Sequence, residues 1–495
     1  MLDLSSEPAS PSFAGAVLAP RAEPLVREQS WASLRQPAAL FALLSIVFGT
    51  VVILITPPMR GPDEAAHFLR VYGFVQGALV ATETDAEGRK GLFLPPRLYR
   101  DFDLFESNRY RIWDRGFSYR DVFSEYARRH GQPAAPGDDP PVFVIFNGSE
   151  GYSPFSYLPY LPVAAAARVL GLDFLITIYL MRFMGLVAMT AIAAYAIAIV
   201  PRLGWGFFCI ATLPAALYGR CMISADGGAL SYAMVVAAIC LRGVVSPNRE
   251  TTWEHGAWMT LCILSKPPQL AFAVLELLWR PLRQLPRDAP ALAWIILPGV
   301  ALTVAWTAAT SGDVASWRLT GGTGLPPEQF EAAWKLGFML EHPLHFPAVM
   351  ATTILNHVPD LWRQLIGMLG WLDTRLAAWA YPTLSVLLVG ACATPLNFDR
   401  ALRLRVAIVA TLGTIGYCIA VFLIFFLVWT PADWDQIEGV QGRYFIVALP
   451  TTAIAAAALM RRGLPIGWNA CAALMAAAIS AGAIVEAVLR VDWRW

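Results

Sequence analysis

The stretch AALFALLSIVFGTVVILITPPMRGPDEAAHFLRVYGFVQG, residues 38–77, joins a membrane-length apolar segment to a rigid charged turn. Residues 38–57 carry no charge, and about 20 apolar residues are needed for a helix to cross a bilayer. The prolines of PPMRGP then restrict the chain, because each proline fixes its own φ and limits the residue before it. The stretch predicts a retained membrane span followed by a turn that presents Asp63, Glu64 and, one helical turn later, His67.

The composition of the whole chain is that of a membrane protein. Of its 495 residues, 57% are hydrophobic and 15% are charged, whereas soluble domains have about 25% charged residues. The net charge of +1 argues against a nucleic-acid-binding protein, which would carry a basic face. All seven cysteines fall in apolar stretches without metal-ligand spacing, so no disulfide framework, metal site or other cofactor is indicated.

Apolar runs predict an all-α polytopic membrane protein with about eleven transmembrane helices. The fifth and sixth runs are short and meet at Lys266-Pro267-Pro268, which predicts two half-length helices joined at a break. Residues 151–171 predict either a surface or re-entrant helix or a twelfth span. The eleven runs cover roughly residues 38–57, 177–200, 203–222, 227–243, 253–265, 268–280, 289–310, 379–397, 406–429, 444–460 and 465–487.

The placement of arginine orients these spans. Arginines cluster in the N-terminal tail and in alternate connections, whereas the intervening connections SADGGAL and WTPADWDQIEGVQG contain no Lys or Arg. The positive-inside rule therefore predicts an inside N-terminus and an outside C-terminus. Residues 1–37 are then a disordered cytoplasmic tail and 38–495 the transmembrane domain, with large extracytoplasmic loops at 58–176 and 311–378 that carry surface helices.

Acidic residues in two outer turns are candidates for catalysis. Asp63 and Glu64 start a helix, where acids also serve as caps, and His67 follows one turn later. Asp226, in SADGGAL, is either an N-cap of the fourth span or a member of the same site. Because both turns open at the same face of the membrane, a carboxylate there is placed to act as a general base in one extracytoplasmic pocket.

Basic residues are expected at the same level of the membrane. Lys266 lies in a hydrophobic stretch, where a charge is expensive and marks a functional candidate. Arg443 and Tyr444 begin the tenth span, and Arg220 ends the third. Lys and Arg neutralise a phosphate leaving group, while a carboxylate takes the proton of an acceptor hydroxyl. The combination predicts glycosyl transfer from a lipid-phosphate sugar on the outer face.

Four stretches in chain order carry a family resemblance: PPMRGPDEAAHFLRVYGFVQG, SADGGALSYA, GMLGWLDTRL and QGRYFIVALP. Over roughly residues 38–460 the chain resembles the bacterial multi-span membrane family known as domain of unknown function 2142. That family looks like a branch of the GT-C glycosyltransferases, which share a polytopic helical fold. The resemblance implies a GT-C-like fold in the bacterial inner membrane, a polyprenyl-phosphate-linked sugar donor, a glycan or lipid acceptor on the periplasmic side, and inverting transfer.

The resemblance also implies roles for individual residues. It gives the catalytic base to Asp63, with Glu64 as the alternative holder, and a further catalytic acid to Asp226. The resemblance matches Lys266 and Arg443, in kind, to residues that bind the donor phosphate. Tyr444 and Arg220 join these candidates because they lie at outer helix ends of the same face. Supporting or sugar-binding candidates are His67, Arg70, Trp371, which would stack on a sugar ring, and Asp373, which would bind a sugar hydroxyl.

Two other functions remain open from the sequence. A lipid-linked glycan polymerase or ligase would need additional outer-loop arginines for a diphosphate donor, and the first loop has several. A lipid or polysaccharide transporter (flippase) would use intramembrane charges such as Lys266 and Glu276 as a path. Transporters usually show paired repeats and short loops, and the sequence shows neither. Placement of Asp63, Asp226 and Arg443 on opposite membrane faces would exclude the transferase.

Overall fold

Helices make up most of the protein. The computed structural model describes residues 31–130, 140–280, 282–310, 329 and 331–494. Across these residues, helical segments long and apolar enough to cross a membrane are Gln36–Ile55, Phe174–Ile199, Asp226–Val245, Leu282–Ala309, Arg400–Val428, Gly442–Leu459 and Ile466–Asp492. The prediction of a helical polytopic membrane protein is confirmed at this level.

The described α-helices are numbered here in chain order. The first eight are α1 (Trp31–Ile55), α2 (Glu64–Val75), α3 (Pro96–Asn108), α4 (Tyr119–His130), α5 (Leu161–Leu170), α6 (Phe174–Ile199), α7 (Gly204–Thr212) and α8 (Pro214–Cys221). They continue as α9 (Asp226–Val245), α10 (Thr252–Ser265), α11 (Leu285–Ala309), α12 (Ala332–Glu341), α13 (His345–Gly367), α14 (Ala380–Cys392), α15 (Arg400–Val428), α16 (Leu449–Leu459) and α17 (Ile466–Asp492). Segments of 3₁₀ helix are Arg109–Trp113, Pro154–Tyr157, Pro247–Arg249, Pro267–Leu278, Leu282–Gln284 and Gly442–Ala448.

Seven of the eleven predicted spans correspond to the long helical segments, and the other four correspond to shorter helices. The predicted span 203–222 is broken into α7 and α8 at Pro214, which lacks the N–H that would continue the helix. The fifth and sixth predicted spans are α10 and the 3₁₀ helix Pro267–Leu278, so the break predicted at Lys266 is present. The predicted span 379–397 is α14, which has 13 residues.

Two segments differ from their predicted extents: the first helix is longer than the predicted span, and the helix within residues 151–171 is shorter than a span. Helix α1 begins at Trp31, inside the range predicted as a disordered tail, while residues 1–30 lie outside the described residues. Helix α5 has 10 residues, about half the length that a membrane-crossing helix needs. It follows the 3₁₀ helix Pro154–Tyr157 and packs against α2 and α6, as a short helix of the first loop rather than a span.

The first large loop forms a layer with its own apolar core. Strand β1 (Gly91–Leu94) pairs antiparallel with β2 (Val142–Ile145), so that Gly91 opposes Ile145. Aromatic side chains of α2, α3 and α6, among them Phe68, Phe105 and Phe174, pack in this core. The loop is therefore not a solvated linker, because its aromatic rings are buried against the start of α6.

The described part of the second large loop lies at residues 329 and 331–378, and includes α12 and α13. The two-residue strands β3 (Met368–Leu369) and β4 (Thr374–Arg375) form a tight antiparallel pair around the GWLD segment. Lys335 of α12 donates to the carbonyl oxygens of Phe426 and Thr430, at 2.9 and 2.6 Å, and so holds α12 at the C-terminal end of α15.

Helix α9 occupies the centre of the bundle. Almost all of its residues are buried, whereas α1, α11 and α15 expose many apolar side chains on one side, as membrane-facing helices do. Helix α9 contacts α6, α10 and the 3₁₀ helix Pro267–Leu278. This central position places Asp226, the first residue of α9, at one end of the bundle axis.

Candidate active site

The PPMRGPDE turn has a strained backbone that buried contacts hold in place. Met59 and Asp63 both adopt left-handed conformations, with φ of 62° and 53°. Such conformations are unfavourable for most L-residues, and Asp tolerates them better than Met does. Met59 is fully buried and Arg60 is clamped by Asp373 and Asp492, whose oxygens lie 2.9–3.0 Å from its guanidinium nitrogens. The turn is therefore held by ion pairs as well as by prolines.

Glu64 forms the second anchor of the turn. Its carboxylate accepts two hydrogen bonds from Arg182 of α6, at 2.7 and 2.6 Å, and two from the backbone N–H groups of Gly61 and Ile223, both at 3.1 Å. Arg182 also donates to the carbonyl oxygens of Thr56 and Pro57. Glu64 and Arg182 have no exposed side-chain surface. This arrangement makes Glu64 a structural anchor, and Asp63 is the solvent-accessible acid of the pair.

Four charged side chains from distant parts of the sequence meet beside this turn. Nη2 of Arg443 lies 2.6 Å from the Asp63 carboxylate, and Nε of Arg443 lies 3.6 Å from the Asp226 carboxylate. Lys266 forms an ion pair with the other oxygen of Asp226. These four residues lie at the start of α2, at the start of α9, just after the end of α10 and in the 3₁₀ helix Gly442–Ala448. The structure thus brings together Asp63, Asp226, Lys266 and Arg443, which we call the charged cluster.

The hydrogen bonds of Asp63 and Asp226 show whether these residues serve as helix caps, the alternative to a role in the site. Asp63 occupies the N-cap position of α2 but makes no side-chain cap bond to the described backbone. Asp226 is the first residue of α9, where Ala225 is the N-cap, and its carboxylate faces Lys266 and Arg443. Both carboxylates are therefore directed into the charged cluster rather than onto helix ends.

The members of the charged cluster differ in access to solvent. The Asp63 side chain is 41% exposed, against 23% for Asp226, 14% for Lys266 and 11% for Arg443. Within the described part of the chain, Arg443 Nε is buried without a hydrogen-bond acceptor, since 3.6 Å to Asp226 is beyond hydrogen-bond range. The cluster thus offers an accessible carboxylate in contact with a guanidinium that has an unused donor, and a second basic group on Asp226.

Aromatic side chains surround the basic groups. Lys266 Nζ lies 4.9 Å from the ring centroid of Tyr444 and 5.7 Å from that of Tyr152, and the Arg443 guanidinium lies 5.3 Å from the Tyr444 ring. These distances are in the range of cation–π attraction. Tyr444 therefore borders the charged cluster, with its ring in contact with both cations.

His67 lies on α2 and is buried against two tyrosines of the first loop. Its Nδ1 lies 2.6 Å from the Tyr157 hydroxyl, and its ring packs edge-on against Tyr152. Burial lowers the pKa of His67 to about 4, so the imidazole is neutral near pH 7 and suits a Tyr157 hydroxyl that donates to Nδ1. A neutral His67 therefore adds no further positive charge beside the charged cluster.

Lys266 is held at its position by the chain around it. Helix α10 ends at Ser265, Lys266 is extended with φ of −153°, and Pro267 starts a 12-residue 3₁₀ helix. Long 3₁₀ runs are uncommon and often mark a functional break. Ser153 and Ser156 of the first loop donate to the carbonyl oxygens of Leu264 and Ser265, at 3.2 and 3.0 Å. The first loop is thereby fastened to the segment that carries Lys266.

The remaining candidate residues lie apart from the charged cluster. Arg220 is buried and donates to Ser45 of α1, with its guanidinium 5.3 Å from the Phe41 ring. Arg70 donates to the backbone carbonyls of Tyr152, Ala78 and Leu79 and so fixes the first loop. Neither arrangement supports the predicted role in binding a ligand, because both side chains point into protein.

Two of the GWLD residues contact arginines of the strained turn and of the first loop. Asp373 pairs with Arg60, and the Arg109 guanidinium stacks 3.7 Å from the Trp371 ring centroid. The Trp371 Nε1–H is buried and finds no acceptor among the described residues. The structure therefore gives Asp373 a role in holding Arg60, three residues before Asp63, and gives Trp371 a cation as its stacking partner.

Several residues that build the site were not predicted. Arg182, Arg60, Tyr152 and Tyr157 anchor or line it, yet none was singled out from the sequence. A signal existed for Arg182, because an arginine within a span needs a partner in the protein. The two tyrosines carried no such signal, since GYSPFSYLPY reads equally well as an interface helix.

The fold and the site define a polytopic helical membrane protein with a cluster of two acids and two bases at one end of its bundle. The chain belongs to the family described as "Predicted membrane protein (DUF2142)", that is, domain of unknown function 2142, whose model matches residues 46–452. No curated protein and no solved structure matches the chain.

Proposed function

We propose that this protein is a membrane glycosyltransferase that moves a sugar from a polyprenyl-phosphate-linked donor to an extracytoplasmic glycan or lipid acceptor. The observation that carries the proposal is the charged cluster, in which Arg443 contacts the accessible carboxylate of Asp63 and, with Lys266, flanks Asp226 at the end of a helical membrane bundle. A transporter path would run through the bundle, whereas these four residues are joined by ion pairs at one end of it.

The proposed reaction has one displacement step. The acceptor hydroxyl gives its proton to the Asp63 carboxylate as its oxygen forms a bond to the anomeric carbon. The bond from that carbon to the phosphate oxygen breaks, and the electron pair leaves with the lipid phosphate. Attack from the face opposite to the leaving group inverts the anomeric centre. The donor phosphodiester has one negative charge and the released monoester approaches two near pH 7, so charge develops where Arg443 and Lys266 lie.

The ion pairs within the cluster suggest how donor and base are coupled. Arg443 donates directly to one oxygen of the Asp63 carboxylate, so this oxygen is occupied while the pair is intact. A donor phosphate would compete with Asp63 for Arg443 and could also use its unpaired Nε–H. Donor binding would then release Asp63 to accept a proton. The donor is accordingly expected to bind before the acceptor.

A donor screen tests the proposed function. Purified protein is incubated with a panel of polyprenyl-phosphate and polyprenyl-diphosphate sugars and an extract of envelope glycans and lipids, and the released lipid phosphate is measured. Release of polyprenyl monophosphate that requires Asp63 supports the transferase. Release of diphosphate instead assigns the protein to the polymerase or ligase class, and transbilayer movement of an intact lipid without release assigns it to the transporters.

Arg443→Ala should weaken donor binding with the fold intact. Loss of a charge-assisted hydrogen bond costs roughly 1.5–3 kcal/mol, or about 10- to 150-fold in Kd. The measurement is the affinity for a short-chain polyprenyl phosphate in detergent. Arg461→Ala, an exposed arginine just beyond the other end of the same helical segment, is the matched control and should bind as wild type. Equal affinity of the Arg443→Ala and wild-type proteins would make Arg443 an anchor only.

The proposed sidedness, with the charged cluster facing the periplasm across the bacterial inner membrane, is tested by cysteine labelling. Ala127 of α4 and Ala401 of α15 are both exposed and are matched sites for cysteine. In a Cys471→Ser background, which removes the exposed native thiol, Ala127→Cys should react with an impermeant maleimide after outer-membrane permeabilisation, and Ala401→Cys should react only after lysis. The reverse pattern would contradict the proposed orientation.

A further inference from the structure

A second buried polar cluster lies at the far end of the elements that carry the candidate active site. Residues 226 and 240 of α9 are about 21 Å apart along a helix that rises 1.5 Å per residue. His255, near the start of α10, and Glu276, near the end of the 3₁₀ helix Pro267–Leu278, meet Cys240 there. The candidate active site and this Cys240–His255–Glu276 cluster thus occupy opposite ends of the same three elements.

The three side chains present a compact set of metal-binding atoms. The Cys240 sulfur, His255 Nδ1 and a Glu276 carboxylate oxygen all lie within 4.8 Å of one another. The sulfur is 3.5 Å and Nδ1 is 2.5 Å from Oε1 of Glu276. Cys240 and His255 are fully buried and Glu276 is almost so, a costly placement for a histidine and a carboxylate inside an apolar bundle.

The groups behind these atoms match those that support metal ligands. Nε2 of His255 lies 2.8 Å from Glu250, and metal-bound histidines usually donate their other ring N–H to a carboxylate or carbonyl. Glu250 is itself held by two hydrogen bonds from Arg242, at 2.6 and 2.9 Å. Arg280 Nε lies 3.3 Å from the second oxygen of Glu276. Glu250 and Arg280 thus occupy one side of His255 and of Glu276. The other side of each, Nδ1 and Oε1, remains directed at the remaining ligand atoms.

The ligand types select the class of metal. Sulfur, imidazole nitrogen and carboxylate oxygen together favour Zn²⁺ or a similar borderline ion, whereas Mg²⁺ and Ca²⁺ prefer oxygen alone. Zinc bonds of about 2.0–2.3 Å in a tetrahedron need the ligand atoms about 3.3–3.7 Å apart. The sulfur-to-oxygen distance already satisfies this, and a small rotation of the Glu276 carboxylate would widen its distance from Nδ1.

We propose that Cys240, His255 and Glu276 bind a Zn²⁺-type divalent ion, with Glu250 and Arg280 orienting two of the ligands. Bonds to the metal form from the thiolate sulfur, Nδ1 and a carboxylate oxygen, and the protons of the thiol and of Nδ1, where present, leave to solvent. Three protein ligands leave one tetrahedral position for a further donor. The ion would tie α9, α10 and the 3₁₀ helix Pro267–Leu278 together. The metal proposal does not depend on the proposed glycosyl transfer.

The test measures metal directly in the full-length protein. The protein is purified in detergent through a tag without histidines, incubated with equimolar Zn²⁺ or Co²⁺, and dialysed. About one ion per chain, and thiolate-to-cobalt charge-transfer absorption in the Co²⁺ sample, are expected. Cys240→Ala should lose that absorption and His255→Gln should lose the bound ion. Cys209→Ala, which removes another fully buried thiol outside the cluster, should keep both.

Two results would overturn the proposal, and neither depends on how well a variant folds. The first is wild-type protein that retains no zinc or cobalt after dialysis. The second is bound cobalt without thiolate absorption, which would place the ion elsewhere. With either result, His255 is an imidazolium held between Glu250 and Glu276 by two hydrogen bonds, and the cluster is an ion-pair network without a metal.

Discussion

Asp63→Asn should lower the rate of glycosyl transfer by about 10²- to 10⁴-fold, the usual contribution of a general base. The amide cannot accept the proton of the acceptor hydroxyl. Donor affinity should be equal to or slightly higher than that of the wild type, because Asp63 no longer competes for Arg443. The loss should therefore appear in kcat, with the binding of a polyprenyl phosphate retained.

Asparagine suits this position structurally. Asp63 has a left-handed backbone with φ of 53°, a conformation that Asn also adopts readily. The side chain makes no cap bond to the described backbone, so the substitution removes none. The thermal midpoint of the variant should stay close to that of the wild type.

The experiment compares single-turnover rates and donor affinity of the wild type, Asp63→Asn and Asp103→Asn. Asp103 is an exposed aspartate of α3 in the same loop, so its substitution controls for the loss of a negative charge from that loop. Asp103→Asn should retain the wild-type rate. Full turnover by a folded Asp63→Asn protein would remove Asp63 from the role of base and move the role to Asp226.

Arg182→Met should destabilise the protein by about 3–5 kcal/mol, the usual loss when one partner of a buried ion pair is removed. Glu64 would remain as a buried carboxylate without its cation, and the carbonyls of Thr56 and Pro57 would lose a donor. The strained turn that presents Asp63 would lose its anchor on α6. The measurement is the free energy of unfolding in detergent, by denaturant titration.

A solvent-exposed ion pair supplies the control. Arg363 and Asp360 of α13 are 3.0 Å apart but 37% and 48% exposed. Arg363→Met should cost at most about 1 kcal/mol, because water screens such pairs. The effects of Glu64→Gln and Arg182→Met should be strongly non-additive in the double variant, since both act on one contact. Additive effects, or an Arg182→Met protein as stable as Arg363→Met, would contradict the anchoring role of Arg182.

The sequence was sufficient for the class of protein and for the approximate positions of the long helices. About 20 apolar residues in a row can be satisfied in a bilayer only as a helix, so the long spans follow from composition alone. Pro267 and Pro268 remove backbone donors at fixed positions, so the break beside Lys266 was also predictable. The PPMRGP turn was also predictable, because its prolines restrict the backbone locally. The left-handed conformation of Met59 within it was not predicted.

What the sequence left open concerns contacts between distant residues. Adjacent Asp63 and Glu64 are both acids at a helix start, and local patterns treat them alike. Their roles diverge only because Arg182 lies beneath Glu64 while Arg443 lies beside Asp63. Apolar patterning likewise placed Arg220 at the right helix end, but not the direction of its side chain, which points to Ser45.

The Cys240–His255–Glu276 cluster shows the same division most clearly. No spacing rule joins residues 240, 255 and 276, because each lies on a different element and the ligand set forms only when α9, α10 and the 3₁₀ helix pack together. Hydrophobicity along the chain determines which segments enter the membrane, since that depends on each segment's own transfer from water. Which polar groups then meet depends on helix rotation and packing, which only the tertiary structure decides.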